Sequence, residues 1–230
     1  MVTNDPDQIR DFVESIPSGG CIAKPLNMQT WDSGDGAPFV FTTTILELDD
    51  LEGVDLRSDP VILQPEIKKQ YEVRITKIGL DFVAVKIDSQ ATAGGKLDFR
   101  LHKNWRDFGH VTVEIPEGIL KNLRSVCDTL GLIFCTIDFI VDLDGRWIFL
   151  EINHMGNWLW VDLYNPEARL LDRMAQLLAS GNAQHRYVPG SSNLSASSFV
   201  EMYEGRKHEI AAAEALVHAN NHEGLAVVDR

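Results

Sequence analysis

Two carboxylates and an amide in the second half of the chain have the residue types of a metal site. They are Asp138, Glu151 and Asn153. Oxygen-only ligands suit Mg2+ or Mn2+, hard ions that keep positions for water or phosphate oxygens. Two opposed carboxylates also repel each other unless a positive charge lies between them. These residues therefore predict a site for Mg2+, or for Mn2+, if the backbone brings them together.

A hairpin over residues 132–160 would provide that arrangement. Its two apolar runs flank Asp144-Gly145, a strong signal for a two-residue turn. If Leu143 and Arg146 close the turn, the two carboxylates lie directly opposite each other, with the amide two positions further on the same face. A three-residue turn would move one carboxylate to the other face. The alternative is an exposed hairpin on which the two acids splay apart.

Length and charge limit the class of protein. The 230 residues can bury a sizeable core in one large or two small domains. A formal net charge of -13 argues against broad binding of nucleic acid or an anionic membrane, both of which need basic surface. The chain has neither a long apolar run nor an amino-terminal signal segment. We therefore expect a cytoplasmic protein with no nucleic-acid or membrane partner.

The three cysteines give a further indication of the compartment. Cys21, Cys127 and Cys135 are an odd number, lack CxxC spacing and lie in apolar runs. Such cysteines are typical of reduced, buried thiols.

The amino-terminal third predicts a helix followed by strands. Asp5 and Pro6 have the types of an N-cap and a first helical residue, and apolar residues then recur at helical spacing. The strand predicted over 21–26 carries Lys24 among apolar residues. A lysine there indicates either a bound anion such as phosphate or a side chain reaching out from a strand edge. Residues 29–38 predict a glycine-containing hairpin tip, followed by a strand over 39–46.

The middle third predicts a second hairpin and a loop. Residues 61–67 form an apolar run, and the strands predicted over 71–76 and 82–87 flank Gly79. Strict alternation places Glu72, Arg74 and Thr76 on one face. A surface ion pair is the other interpretation of Glu72 and Arg74. We expect residues 91–108, which include Arg100, to form a loop over the site.

The remaining pattern predicts a strand over 110–115, a helix from Pro116 that Gly131 ends, and a helix over about 166–179. Residues 189–198 are typical of a linker, and 199–219 predict a helix. Neither GxxxxGK[ST] nor GxGxxG is present, so the sequence does not support a P-loop or a Rossmann dinucleotide site.

The chain resembles the ATP-grasp ligases, and among them most closely the microviridin-type or graspetide peptide ligases. The motifs are Ala23-Lys24-Pro25-Leu26, Glu72-Val73-Arg74-Ile75-Thr76, Asp88-Ser89-Gln90, Asp98-Phe99-Arg100, Asp138, Glu151-Ile152-Asn153 and Gly156-Asn157-Trp158-Leu159-Trp160. The likeness covers about residues 3 to 181. The acidic pair with asparagine indicates the superfamily, whereas the Asp-Ser-Gln and Trp-Leu-Trp motifs favour the peptide-ligase branch.

The resemblance implies a fold and a set of roles. The fold is α/β (α+β), with two antiparallel-sheet subdomains and helices clasping ATP and Mg2+. For the nucleotide, the resemblance implies that Lys24 binds phosphate, that the segment with Gln64, Glu66 and Ile67 binds adenine, and that Glu72 binds ribose. Arg74 and Arg100 would bind the terminal phosphate or the substrate carboxylate. Asp138, Glu151 and Asn153 would bind the metal. The implied reaction is the ATP-dependent ligation of a carboxylate through an acyl phosphate, which yields an ester or an amide.

The resemblance also implies an organisation and a set of partners. We expect an ATP-grasp domain over 1–181, with a small subdomain over about 17–70 and a large one over about 71–181, and a tail over 182–230. The expected substrate is an acidic precursor peptide or a small carboxylate. The family's amino-terminal domain has no counterpart here, so we also expect a homodimer or a partner that supplies it. The alternatives are an amino-acid or glutamate ligase of the RimK or glutathione-synthetase type, and a truncated, non-catalytic ATP-binding protein.

Two positions depart from the family pattern. His154 stands where the family usually has proline, and Phe99 replaces the more usual tryptophan. We interpret both as simple replacements, and a metal ligand is the alternative interpretation of His154.

Overall fold

The structure is a computed structural model that describes residues 1–17, 20–26, 30–32, 38–40, 44–52, 57, 59–92, 95–101, 107–207 and 209. Some sequence predictions fall partly outside these ranges. The parts outside the described residues are the tip of the 29–38 hairpin, residues 41–43 of the strand over 39–46, residues 93–94 and 102–106 of the loop over 91–108, and the end of the helix over 199–219.

The described residues form eleven strands and five helices. The strands are β1 (Val2–Thr3), β2 (Cys21–Pro25), β3 (Thr30–Asp32), β4 (Pro38–Val40), β5 (Thr44–Ile45), β6 (Val61–Pro65), β7 (Lys69–Ile78), β8 (Asp81–Ile87), β9 (His110–Val113), β10 (Phe134–Asp142) and β11 (Trp147–Asn153). The helices are α1 (Pro6–Glu14), α2 (Glu117–Thr129), α3 (Leu159–Tyr164), α4 (Leu170–Ser180) and α5 (196–207). Short 3-10 turns cover Leu48–Leu51, Ser89–Ala91, Phe99–Leu101 and Pro166–Ala168.

The strands form two main sheets. One has the order β1-β6-β2-β5 and is antiparallel throughout, and the other has the order β11-β10-β7-β8-β9. Strands β3 and β4 pair separately. The predicted fold class, α/β with two antiparallel sheets and helices, is confirmed.

The chain forms two compact units. The first contains Met1–Ile75, Ala84–Val113 and Ile137–Ile152. The second contains Thr76–Val83, Glu114–Thr136 and the described residues from Asn153 onward. The predicted division at about residue 181, with subdomains over 17–70 and 71–181, stays a prediction.

The apolar core beside the four-stranded sheet determines which residues of its strands face away from that core. Helix α1 begins as predicted, because the Asp5 carboxylate accepts a hydrogen bond from the Asp7 N–H at 3.0 Å. Its apolar face packs on alternate residues of β2 and β6. The buried cluster consists of Ile9, Val13, Cys21, Ala23, Leu51 and Leu63. Since alternate strand residues face opposite sides, Ile22, Lys24 and Gln64 are directed away from this core.

The turn between β10 and β11 differs from the sequence prediction. The Asp142 N–H donates to the Arg146 carbonyl and the Gly145 N–H donates to the Asp142 carbonyl, both at 3.0 Å. Three residues therefore form the turn, and the predicted closure by Leu143 and Arg146 is wrong. The cause is the Asp142 carboxylate, which accepts from the Asp144 and Arg146 N–H groups at 3.0 and 2.8 Å. Gly145 takes the left-handed φ of 81° that the wider turn requires.

The remaining helices and strands agree only in part with the bounds predicted from the sequence. The strands flanking Gly79 and the helix after Pro116 form as predicted. The helix predicted over 166–179 begins only at Leu170, because Pro166–Ala168 is a 3-10 turn. Helix α3 and strand β1 were not predicted. Residues 196–207 are helical, so the helix predicted from 199 begins three residues earlier.

Two sequence expectations concern the environment of the chain. All three cysteine side chains are buried, as predicted. In the part of the chain that the structure describes, no helix combines the length and apolar character needed to cross a bilayer.

Asp172 connects α4 to the segment that follows it in the second unit. Its side chain is fully buried and accepts hydrogen bonds from the Ser192 hydroxyl at 2.5 Å, the Leu194 N–H at 3.1 Å and the Tyr187 hydroxyl at 2.9 Å. Burial alone would raise the pKa of Asp172, but these hydrogen bonds outweigh it and lower the pKa below its usual value. The ionised carboxylate therefore stabilises the fold.

We predict that Asp172→Asn lowers the free energy of unfolding by about 2 kcal/mol or more at pH 7, because its amide leaves buried donors unsatisfied. Because the folded pKa is depressed, this stabilisation is present above the unfolded pKa of Asp and is lost as pH falls through the folded pKa. Urea unfolding at pH 7 and at decreasing pH measures both effects. Asp128→Asn, an exposed change on α2, is the control. Equal stability of the two variants at pH 7 would contradict the assignment.

Candidate active site

Strands β2, β6 and β7 direct four candidate side chains to one cavity in the first compact unit. Lys24 and Gln64 face it because their neighbours Ala23 and Leu63 are buried in the core. On β7, Val73 and Ile75 are buried, so Glu72 and Arg74 occupy the opposite face and border the cavity. The alternation in the sequence predicted that Glu72 and Arg74 lie on the same face of the strand.

The two predicted metal-binding carboxylates border the same cavity despite the wider turn. Asp138 comes from β10 and Glu151 from β11. Near the turn, the Phe139 ring packs edge-on against both Trp147 and Phe149. Three successive residues of β11, Phe149 to Glu151, border the cavity. Strand β11 is the edge strand of its sheet.

Nine of the ten candidate residues border this cavity, and all residues around it belong to the first unit. They are Lys24, Gln64, Glu66, Ile67, Glu72, Arg74, Arg100, Asp138 and Glu151. Asn153 belongs to the second unit, where its carboxamide oxygen accepts a hydrogen bond from the Met155 N–H at 2.9 Å. His154, in the same unit, is exposed. The metal-binding role of Asn153 stays a prediction.

Arg74 and Asp138 form the central ion pair of the cavity. Arg74 Nη1 donates to both carboxylate oxygens of Asp138, at 2.7 and 3.0 Å. The Arg74 side chain is 13% exposed and that of Asp138 24%. Burial raises the pKa of Asp138 to about 6 even though Arg74 opposes the shift, and the nearby Glu151 and Glu72 carboxylates add to the rise. The ionised form of Asp138 is therefore disfavoured at its partly buried position despite the ion pair with Arg74.

Arg100 is held by a second ion pair. Its Nε and Nη2 donate to the two oxygens of Asp98 at 2.8 and 2.7 Å. These bonds raise the pKa of Arg100. Burial alone would raise the pKa of Asp98, but the hydrogen bonds from Arg100 outweigh it and lower the pKa. The Arg100 side chain remains 47% exposed, so its charge is fixed in position and still accessible.

Three charged side chains of the cavity, Lys24, Lys96 and Glu151, have no hydrogen-bond or ion-pair partner within the described residues. Burial lowers the pKa of Lys24, the Arg100 guanidinium lowers it further, and the Asp98 and Glu151 carboxylates oppose the shift. Two cations and an anion are thus available to ligands, while the other charged side chains of the cavity are already paired.

The segment predicted to meet adenine lies at one side of the cavity. Gln64 pairs with Ile22 across β6 and β2, and β6 ends at Pro65. The Glu66 N–H donates to the Gly20 carbonyl at 2.6 Å, so this donor is already used. The Glu66 carboxylate forms an ion pair with Lys68. Any adenine contact by Glu66 must therefore use another group.

Sequence reasoning missed one cavity residue with a central position. Lys69 has an ammonium group that donates to Glu72 at 2.7 Å and to the Leu97 carbonyl at 2.8 Å. Strict alternation along β7 would place Lys69 and Glu72 on opposite faces, so the sequence pattern did not predict the contact between them. A lysine three positions before a site carboxylate, at the start of its strand, was the available signal.

Protein ligands alone do not complete a metal site. Across the described ranges, no group of three or more His, Cys, Asp and Glu side chains is arranged to hold a metal ion. An ion here would need oxygens from a ligand or water beside Asp138 and Glu151.

Comparisons with known proteins decide the fold family. A RiPP-associated ATP-grasp ligase from Chryseobacterium gregarium, solved with ADP and a leader and core peptide, matches with 30% identity and a TM-score of 0.72 over 82% of this chain and 56% of that chain. The macrocyclase MdnC of Microcystis aeruginosa, bound with precursor peptide MdnA, matches with 26% identity and a TM-score of 0.66 over 79% of this chain and 54% of that chain. The chain has the ATP-grasp ligase fold.

The resemblance inferred from the motifs is therefore confirmed. The ATP-grasp ligase PsnB, complexed with a variant precursor, Mg and ADP, matches with 22% identity and a TM-score of 0.53 over 77% of this chain and 52% of that chain, a likeness that shows the fold alone. No family model matches the sequence, and no curated protein matches it. This ATP-grasp chain spans about half the length of the solved structures that it matches.

We predict that Arg74→Met raises the pKa of Asp138 above its present value of about 6, because the nearest positive charge is lost. Carbon-13 NMR titration of the aspartate carboxyl groups measures the change, with Asp138→Asn used to assign the signal. Arg146→Met is the control, since Arg146 pairs with Asp142 and Asp144 instead. An unchanged Asp138 pKa in Arg74→Met would contradict the ion-pair assignment.

Proposed function

We propose that this chain acts in an ATP-dependent carboxylate ligation, on a Glu or Asp side chain of a peptide. The observation that carries the proposal is the cavity in which an unpaired lysine, Lys24, and an unpaired carboxylate, Glu151, lie among arginines and carboxylates that already form ion pairs. In the proposed reaction, a substrate carboxylate oxygen attacks the γ-phosphorus of ATP and ADP leaves. A hydroxyl or amine then attacks the acyl phosphate, releases phosphate, loses its proton and forms an ester or an amide.

The carboxylate and amide oxygens proposed as ligands fit a divalent cation. The Asp138 carboxylate is partly buried near Glu151 and Glu72, and burial raises its pKa, with the two neighbouring carboxylates adding to the rise. Asp138 and Glu151, with Asn153 at the end of the same strand as Glu151, would hold Mg2+, or Mn2+, and leave positions for phosphate oxygens. Bound Mg2+ would neutralise charge on the phosphates.

The chain's own cations match the remaining charge of a triphosphate. Lys24 has no protein partner within the described residues, so its ammonium is free to donate to phosphate oxygens. Arg100 is fixed by Asp98 and remains half exposed, which suits a planar substrate carboxylate or the terminal phosphate. Arg74 borders the same cavity and supplies a second guanidinium. Such fixed charges favour alignment and charge stabilisation over a protein nucleophile.

Glu72 and the segment from Gln64 to Ile67 would bind the nucleoside. The Glu72 carboxylate is 13% exposed and held by Lys69, an arrangement suited to accepting hydrogen bonds from ribose hydroxyls. Gln64 and Ile67 border the cavity beside it and would meet the adenine.

The peptide class of substrate is proposed from the solved relatives, which were determined with leader, core or precursor peptides. An amino-acid or glutamate acceptor, as in RimK or glutathione synthetase, requires the same phosphate chemistry and stays the alternative. A homodimer or a partner polypeptide that completes the substrate groove also belongs to the proposal. A cytoplasmic location stays a prediction from the sequence.

We predict ADP release when the chain is incubated with ATP, Mg2+ and a peptide rich in Glu, Asp, Ser and Thr, and a peptide mass lower by one water for each bond formed. A coupled ADP assay and mass spectrometry measure the two. A peptide with Gln and Asn in place of its acids is the control. ADP binding without turnover on any carboxylate, with or without a partner polypeptide, would favour a non-catalytic nucleotide-binding protein.

We predict that Glu151→Gln raises the Kd of ADP with Mg2+ roughly tenfold or more, because one of two cation-binding carboxylates is lost. Isothermal titration calorimetry with Mg2+ and with EDTA measures the metal-dependent part. Glu117→Gln, an exposed change on α2, should bind as the wild type does. Unchanged ADP affinity in Glu151→Gln would remove the metal assignment.

A further inference from the structure

Lys69 lies at the junction of two parts of the cavity. Its ammonium donates to Glu72 Oε1 at 2.7 Å and to the Leu97 carbonyl at 2.8 Å. The Lys69 side chain is 8% exposed and that of Glu72 is 13% exposed. A nearly buried lysine is retained only where it is paired, because desolvation of its charge is costly. Both bonds are charge-assisted and correspondingly strong.

The second bond joins distant parts of the chain. Leu97 is 28 residues from Lys69 and immediately precedes the pair of Asp98 with Arg100. The Lys69 charge also lowers the pKa of Asp98, after the larger effects of burial and of Arg100. The position of the Arg100 guanidinium therefore depends on a segment that Lys69 attaches to β7.

We propose that Lys69 is a positioning residue that holds Glu72 and the 95–101 segment in place. The inference rests on the proposed function, because it concerns the same nucleotide site. Lys69 acts on the nucleoside through Glu72, and on the terminal phosphate or substrate carboxylate through Arg100. One ammonium group thereby sets the relative positions of the groups that bind the two ends of the nucleotide.

The role through Glu72 is tested by the affinity for ADP with Mg2+, measured by calorimetry on the full chain. Lys69→Met should raise the Kd roughly tenfold, because Glu72 loses its charged donor. Glu72→Gln should have a similar effect, and the double variant should be little worse than either single variant. Lys69→Arg should restore most of the affinity. Lys121→Met, an exposed lysine on α2, is the control and should bind as the wild type does.

The role through Leu97 is tested by limited trypsin digestion without nucleotide. Lys96 and Arg100 are exposed cleavage sites next to the anchored carbonyl. Lys69→Met should accelerate cleavage after these two residues several-fold, while the melting temperature and cleavage elsewhere change little. If Lys69→Met does not fold, cleavage after Lys96 and Arg100 is compared between wild type and Lys69→Gln, whose side chain keeps an amide donor.

These measurements separate the proposal from the function on which it rests. An unchanged Kd and unchanged cleavage after Lys96 and Arg100 would overturn the role of Lys69, as would fully additive effects of Lys69→Met and Glu72→Gln on the Kd. A wild-type chain that binds no ADP would contradict the proposed function. In that case, equal cleavage of wild type and Lys69→Met at Lys96 and Arg100 would still overturn the attachment, and faster cleavage of the variant would support it.

Discussion

The proposed chemistry of the cavity depends on Asp138, a partly buried carboxylate whose ionised form is disfavoured. Burial raises its pKa to about 6 although Arg74 donates to both of its oxygens, and the Glu151 and Glu72 carboxylates add to the rise. A carboxylate in such surroundings either binds a proton or gains a cation. In the proposed site, a divalent ion held by Asp138 and Glu151 would supply that positive charge.

The other charged side chains of the cavity fall into two groups, those that form ion pairs and those that do not. Glu72 with Lys69, Asp98 with Arg100, and Asp138 with Arg74 form pairs that fix the direction of each side chain. Lys24 and Glu151 have no partner among the described residues, and they have the charges needed to meet a phosphate and a cation. Fixed charges of this kind would lower the reorganisation needed if the proposed nucleotide binds here.

Sequence reasoning succeeded where local rules decide the outcome. The Asp5 cap and the alternation that places Glu72 and Arg74 on one face each depend on neighbours along the chain. It was wrong at the Asp144-Gly145 turn, because the Asp142 side chain bonds two backbone N–H groups and favours a three-residue turn. Asp138 and Glu151 nevertheless border the same cavity. Lys69 was missed because its contacts with Glu72 and Leu97 depend on tertiary structure.

The most direct test of the cation at Asp138 and Glu151 uses Mn2+ as a paramagnetic probe. Backbone amide spectra of the isotope-labelled chain with ADP would be recorded with Mg2+ and then with small amounts of Mn2+. The account predicts line broadening centred on residues 137–139 and 150–152. Broadening centred elsewhere, or none at Mn2+ concentrations that saturate ADP, would contradict a metal-dependent nucleotide site in this cavity.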